Sequence, residues 1–202
     1  MSRKITIKEL LDNRFKTGSR SHYGPVKVYD ICATDFLHFA LEDSKGKDLR
    51  QRVNALGNVK RAIECRVDVI LYNYCLHKKS EKEGWNFPEK VEVIQQLGIV
   101  APRILKKINQ KRNELEHRYL EPTQDDVDDA LDVATLFLAY TDDIENNSLK
   151  KYGTPDDFDI ELKIMDGIVR LIDYKNNVRQ NVKIDSDDGW IEFAKRLPKF
   201  RA

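Results

Sequence analysis

The residues with most to offer chemically lie between positions 105 and 119. Leu105, Ile108, Leu115 and Tyr119 share one stripe of a helical period, and the position that completes the stripe is Arg112. The period expects an apolar side chain there. A guanidinium on a packing face is costly unless it meets an anion or a polar interface. Five residues on stands His117, of the side-chain type whose ordinary pKa lies nearest neutrality. An arginine can grip a phosphate and stabilise charge that develops during a reaction, and a histidine can take or deliver a proton near neutral pH. A five-residue step turns a helix by ~500°, so the two side chains diverge by ~140°. One straight helix does not aim both at one atom. Either it distorts near His117, or two copies of the chain share a site across a two-fold axis.

Local charge fits an anionic ligand. Arg103, Lys106, Lys107, Lys111, Arg112 and Arg118 face only Glu114 and Glu116, a stripe that would attract a phosphate backbone in a salt-sensitive way. Lys107, Lys111 and Arg118 are the expected phosphate contacts beside the Arg112–His117 pair. A purely structural reading instead pairs Arg112 with an acid of the following helix, which holds Asp125, Asp126, Asp128, Asp129 and Asp132 and no basic residue. Tyr119 reads as bundle core or interface, with modification as its alternative. Trp85 and Trp190 read as packing anchors, although Trp85 beside Asn86 suits stacking on a base.

Helices must position these groups. Thr34 is the expected N-cap of a helix that ends before Lys45-Gly46. From Asp48 to about Lys78, Val53, Leu56, Val59, Ile63, Val67, Ile70 and Tyr74 trace one face of a long helix. Gly84 breaks it. Pro88 starts a shorter helix with Val91, Ile94 and Leu97 inward and Gly98 as its stop. Pro102 opens the basic helix. Thr123, with Asp126 three residues later, resembles a capping box for a helix whose inward stripe is Val127, Leu131, Ala134, Leu138 and Thr141. Short turns between such helices imply an antiparallel bundle.

The period then changes. Phe158 to Ile164 alternates strictly, and Gly167–Tyr174 and Val178–Ile184 also suit strands, with Lys175-Asn176-Asn177 as the hairpin connection. Trp190 to Leu197 suits a short helix. The expected layout is a basic segment over 1–30 with TGSRSHYGP as a loop, a helical bundle over 31–147, and a small β-rich appendage over 154–202. The fold class is mainly α.

Composition narrows the function classes. Hydrophobic residues form 41% of the 202 and charged residues 34%, enough for a core and unlike a disordered tail. No apolar run approaches the ~20 residues that cross a bilayer, and the charged start lacks the apolar stretch of a secretory signal, so a cytoplasmic protein without membrane contact is expected. The odd set Cys32, Cys65 and Cys75 is read as free thiols of a reducing compartment. His22, His38, His77 and His117 are scattered, so neither a zinc site nor another cofactor is expected. The 35 basic and 34 acidic residues cancel, but between segregated parts: from Glu121 to Glu145 there is no Lys or Arg. Near-neutrality argues against a generally sticky nucleic-acid binder and leaves room for a local phosphate site.

The stretch KINQKRNELEHRYLEPTQDDVDDALDVATLFL is similar to the signature of HEPN domains, an Arg-x(4–6)-His motif on the third helix of a four- to five-helix bundle. Arg112-Asn113-Glu114-Leu115-Glu116-His117 fits it, including the polar residue after the arginine, and Tyr119 extends it to the Arg-x(4)-His-x-Tyr form of HEPN toxins paired with small nucleotidyltransferases. The helix VNALGNVKRAIECRVDVILYNYC resembles the family's first core helix, and the likeness covers roughly residues 48 to 146. It implies a homodimeric, metal-independent endoribonuclease with Arg112 and His117 catalytic, Asn113 supporting and Tyr119 supporting or modified. Single-stranded regions of RNA would be the substrate and a nucleotidyltransferase antitoxin the further partner, with a toxin or anti-phage role. The family also holds non-catalytic modules that bind nucleotides or RNA or serve a nucleotidyltransferase.

Overall fold

Three helices in the computed structural model of the chain end by one device, in which a residue of positive φ lets the next N–H reach back five residues. Gly84 (φ 66°) lets Trp85 bond the Ser80 carbonyl at 3.0 Å, and Gly98 (φ 77°) lets Ile99 bond that of Ile94 at 3.1 Å. Both stops were expected from glycine. The third is Cys75 (φ 58°), where Leu76 bonds the Leu71 carbonyl at 2.7 Å. The long helix therefore closes at Asn73, short of the expected Lys78, and a new short helix begins at His77. A left-handed non-glycine residue costs roughly 1–2 kcal/mol. Here the small thiol of Cys75 is fully buried.

The structure describes residues 7, 19–22, 27–46, 48–99, 105, 110, 117–146, 149–154, 158–163, 167–184 and 189–196. Their elements in chain order are β1 (Ser19–His22), α1 (Ala33–Ser44), α2 (Leu49–Asn73), α3 (His77–Glu83), α4 (Phe87–Gln96), α5 (Gln124–Tyr140), α6 (Asp142–Asn146), β2 (Leu149–Thr154), β3 (Phe158–Lys163), β4 (Ile168–Asp173), β5 (Val178–Lys183) and α7 (Trp190–Arg196). The fold is mainly helical with an antiparallel sheet near the C-terminus. No helix among the described residues is long and apolar enough to cross a membrane.

The chain forms two compact units, one from residues 27–68 and 100–142 and the other from 1–26, 69–99 and 143–202. In the first, helical unit, α1 packs on α5. The expected stripes are buried: Leu56, Val59, Ile63 and Val67 of α2, with Val127, Leu131, Ala134 and Leu138 of α5. Thr123 caps α5 as expected, its hydroxyl accepting from the Asp126 N–H at 3.1 Å while the Asp126 carboxylate accepts from the Thr123 N–H. The cap of α1 is Cys32, two residues before the expected Thr34, because the Asp35 carboxylate accepts from both the Cys32 N–H (2.8 Å) and its thiol (2.9 Å). These two bonds, the thiol's first, hold the Asp35 carboxyl below its ordinary range. Arg66 is fully buried, its Nη1 donating to the Thr141 carbonyl at 3.0 Å.

The second, mixed unit holds the sheet, whose strand order β1-β2-β3-β4-β5 is antiparallel throughout. The meander β3–β5 is the set of three strands expected from sequence. Two more flank it. β1 lies inside TGSRSHYGP, expected as a loop, and β2 begins at Leu149, ahead of the β-rich appendage expected from residue 154. Neither SRSH nor LKKYGT alternates in hydropathy, so pairing with a neighbour, not periodicity, makes them strands. Ile7 of the same basic segment is buried. At the α7 end Trp190 is buried, stacks on Phe193 at 5.3 Å and donates Nε1–H to the Tyr74 carbonyl at 2.7 Å. None of the three cysteines forms a disulfide, and Cys65 and Cys75 are buried.

Candidate functional site

Leu105, Gln110, His117 and Arg118 have helical backbone, and Leu105 is buried as its stripe requires. Arg112, Asn113, Lys107 and Lys111 lie outside the described residues, and so does any pairing of Arg112 with the acids of α5. His117 and Arg118 are the last helical residues before the turn. Both are exposed and make no hydrogen bond or ion pair with a described residue.

Tyr119 leaves the helix at φ 56° and is 88% exposed. Of the two places expected for it, core or interface, this removes the core. The stripe breaks because the helix has ended one residue before, so the register that would have turned the ring inward no longer applies. A left-handed backbone at a bulky residue is strained, and a glycine there would not be. Tyr119→Gly is therefore expected to raise stability by about 1 kcal/mol, read as a higher urea midpoint at unchanged slope.

The turn after Tyr119 is held by one residue of α2. Arg52 donates Nε–H to the Pro122 carbonyl at 2.9 Å and pairs through Nη2 with the Glu121 carboxylate. Pro122 is buried, and Thr123 directly afterwards fixes the start of α5. His117, Arg118 and Tyr119 thus sit between a helix end and a turn clamped at both of its last residues. Arg52 carried no sequence signal for this, since its partners lie 69 and 70 residues away. Arg52→Ala is expected to cost about 1 kcal/mol in urea unfolding and to speed amide exchange at residues 119–123. Unchanged exchange there would show that the turn is held by other contacts.

Electrostatically the turn separates opposite signs. Arg118 stands on one side, and on α5 Asp125, Asp128, Asp129 and Asp132 are exposed, as expected of a solvated face near a helix N-terminus. The arrangement offers a solvent-facing imidazole beside a guanidinium and a phenol. A histidine so placed can exchange protons with a bound substrate, and Arg118 can supply an anion contact. No protein-family model, no curated protein and no solved structure matches the chain.

Proposed function

We propose that the chain is a HEPN-type, metal-independent endoribonuclease acting on single-stranded RNA at a site shared by two copies, in the cytoplasm, as a toxin or anti-phage component. In this reading the helices belong to a HEPN-like bundle of four to five helices. His117 moves the proton of the attacking 2′-hydroxyl or of the leaving 5′-oxygen, and Arg112 binds the scissile phosphate. Asn113 supports the pair by hydrogen bonding, and Lys107, Lys111 and Arg118 hold the flanking backbone. The observation that carries the reading is the exposure of His117 and Arg118, without a partner among the described residues, at the helix end before the Tyr119 turn.

A second reading is favoured by Tyr119 alone. A phenol 88% exposed on a strained backbone is open to modification, which suits a non-catalytic or regulated module partnered with a nucleotidyltransferase. Incubation of the purified protein with single-stranded RNA in EDTA separates the two. Cleavage that persists in EDTA, leaves 2′,3′-cyclic phosphate ends and vanishes in Arg112→Ala and in His117→Ala supports the nuclease. Binding of RNA or nucleotides without cleavage sinks it in favour of the module.

A further inference from the structure

One face of β4 and β5 is buried or half-buried, and the other is more open. On β4, Val169, Leu171 and Asp173 are buried, while Ile168, Arg170 and Ile172 alternate with them and are half-buried. Across the edge strand β5, the residues opposite the second set are Lys183, Asn181 and Arg179, all exposed. The register places Arg170 directly opposite Asn181, so Arg179 and Lys183 are its two diagonal neighbours. Diagonal positions on a sheet face lie about 7–8 Å apart, within reach of long side chains. Three cations thus surround one amide.

Arg170, Ile172, Arg179 and Asn181 line a cleft of about 340 Å³ on this face. Arg170 is held there by Glu161, whose carboxylate accepts from Nη1 at 2.9 Å. Arg179 makes no hydrogen bond or ion pair with a described residue. A guanidinium paired with Glu161, the Arg179 guanidinium and the Lys183 ammonium share this face, and Ile172 gives the cleft an aliphatic wall. No aromatic side chain among the described residues joins it, so it offers charge and shape without a stacking platform.

We infer that this open face binds the phosphate backbone of single-stranded RNA, with Arg179, Arg170 and Lys183 gripping phosphates around Asn181. The choice of RNA as ligand rests on the function proposed above. The cluster itself owes nothing to the Arg112–His117 motif. Such contacts fix a strand without reading its bases, so binding is expected to be insensitive to sequence and strongly dependent on salt.

The test uses the full-length chain carrying His117→Ala, which removes cleavage while leaving the sheet untouched. Binding of a fluorescein-labelled single-stranded RNA is measured by anisotropy across a salt series. Arg179→Glu is expected to weaken binding at least about tenfold, and Arg179→Ala to lower the slope of log K against log salt by about one. Arg179→Lys should restore most of the affinity. Arg179 is exposed, so these variants are expected to keep the parent urea midpoint. Affinity unchanged in Arg179→Glu overturns the sheet site, and so does an absence of RNA binding in the His117→Ala parent. If Arg118→Ala alone weakens binding, the helix-end site survives and the sheet site falls. If the sheet variants weaken binding and the unmutated chain cleaves no RNA, the sheet site survives and the nuclease reading falls.

Discussion

Replacing His117 by alanine is expected to lower the rate of RNA cleavage by about 10²–10⁴-fold, the range that positioned proton transfer contributes. The loss should fall on kcat with KM nearly unchanged, because an imidazole that acts only as proton carrier adds little to binding before the bond breaks. Arg118→Ala should do the reverse. Its guanidinium is exposed beside His117, and in the proposed nuclease it would meet a phosphate only as a charge, so KM should rise and its salt dependence flatten while kcat holds. If both variants lose kcat together, His117 and Arg118 act as one unit. If neither changes cleavage, the motif is structural and the nuclease reading fails.

The largest expected loss of stability is at Trp190. The ring is buried against Phe193 and its Nε1–H satisfies the carbonyl of Tyr74. Trp190→Ala removes the stacked surface, leaves a cavity and strands that carbonyl, at a cost of about 3–5 kcal/mol. For a domain of ordinary stability that is a large fraction of the whole. The chain has two tryptophans, so the loss is also visible in emission: the buried Trp190 signal disappears and half-buried Trp85 remains. Trp190→Phe keeps most of the stacking and loses the hydrogen bond, so its penalty should be about 1–2 kcal/mol. Near-equal penalties for the two variants would place the stabilisation in the hydrogen bond and not in packing.

Sequence legibility followed the origin of each element. Helix faces were readable because burial imposes the 3.6-residue period on residues that are themselves apolar, as in the α5 stripe from Val127 to Thr141. Stops were readable where glycine takes the left-handed turn, at Gly84 and Gly98. They were invisible where Cys75 and Tyr119 take it, since neither residue type announces a positive φ. β3 alternates strictly, and the composition of β4 and β5 with the Lys175-Asn176-Asn177 turn between them suits strands, so the meander is legible. β1 and β2 do not, and they exist because the edge of β3 offers β2 a ladder and β2 in turn offers one to β1. The motif at His117 stands out in the sequence because an arginine interrupts an apolar stripe, and Arg112 itself lies outside the described residues. The Arg52 clamp and the cation cluster on β4 and β5 depend on contacts and register, which a linear pattern does not carry.

The mixed unit is stitched from the first, middle and last parts of the chain, and this has a consequence for its birth on the ribosome. All of the helical unit has been synthesised by residue 142, before any residue of β2 exists. Residues 69–99, with Ile94 and Leu97 on an apolar face, leave the ribosome earlier still, before residues 143–202 of the same unit exist. About fifty residues separate Ile99 from Leu149, which at about 5–20 residues per second is a delay of several seconds. For that interval α3 and α4 are nascent chain whose own compact unit is still incomplete. The order in which the two units can close is therefore set by threading along the message, whatever their relative stabilities.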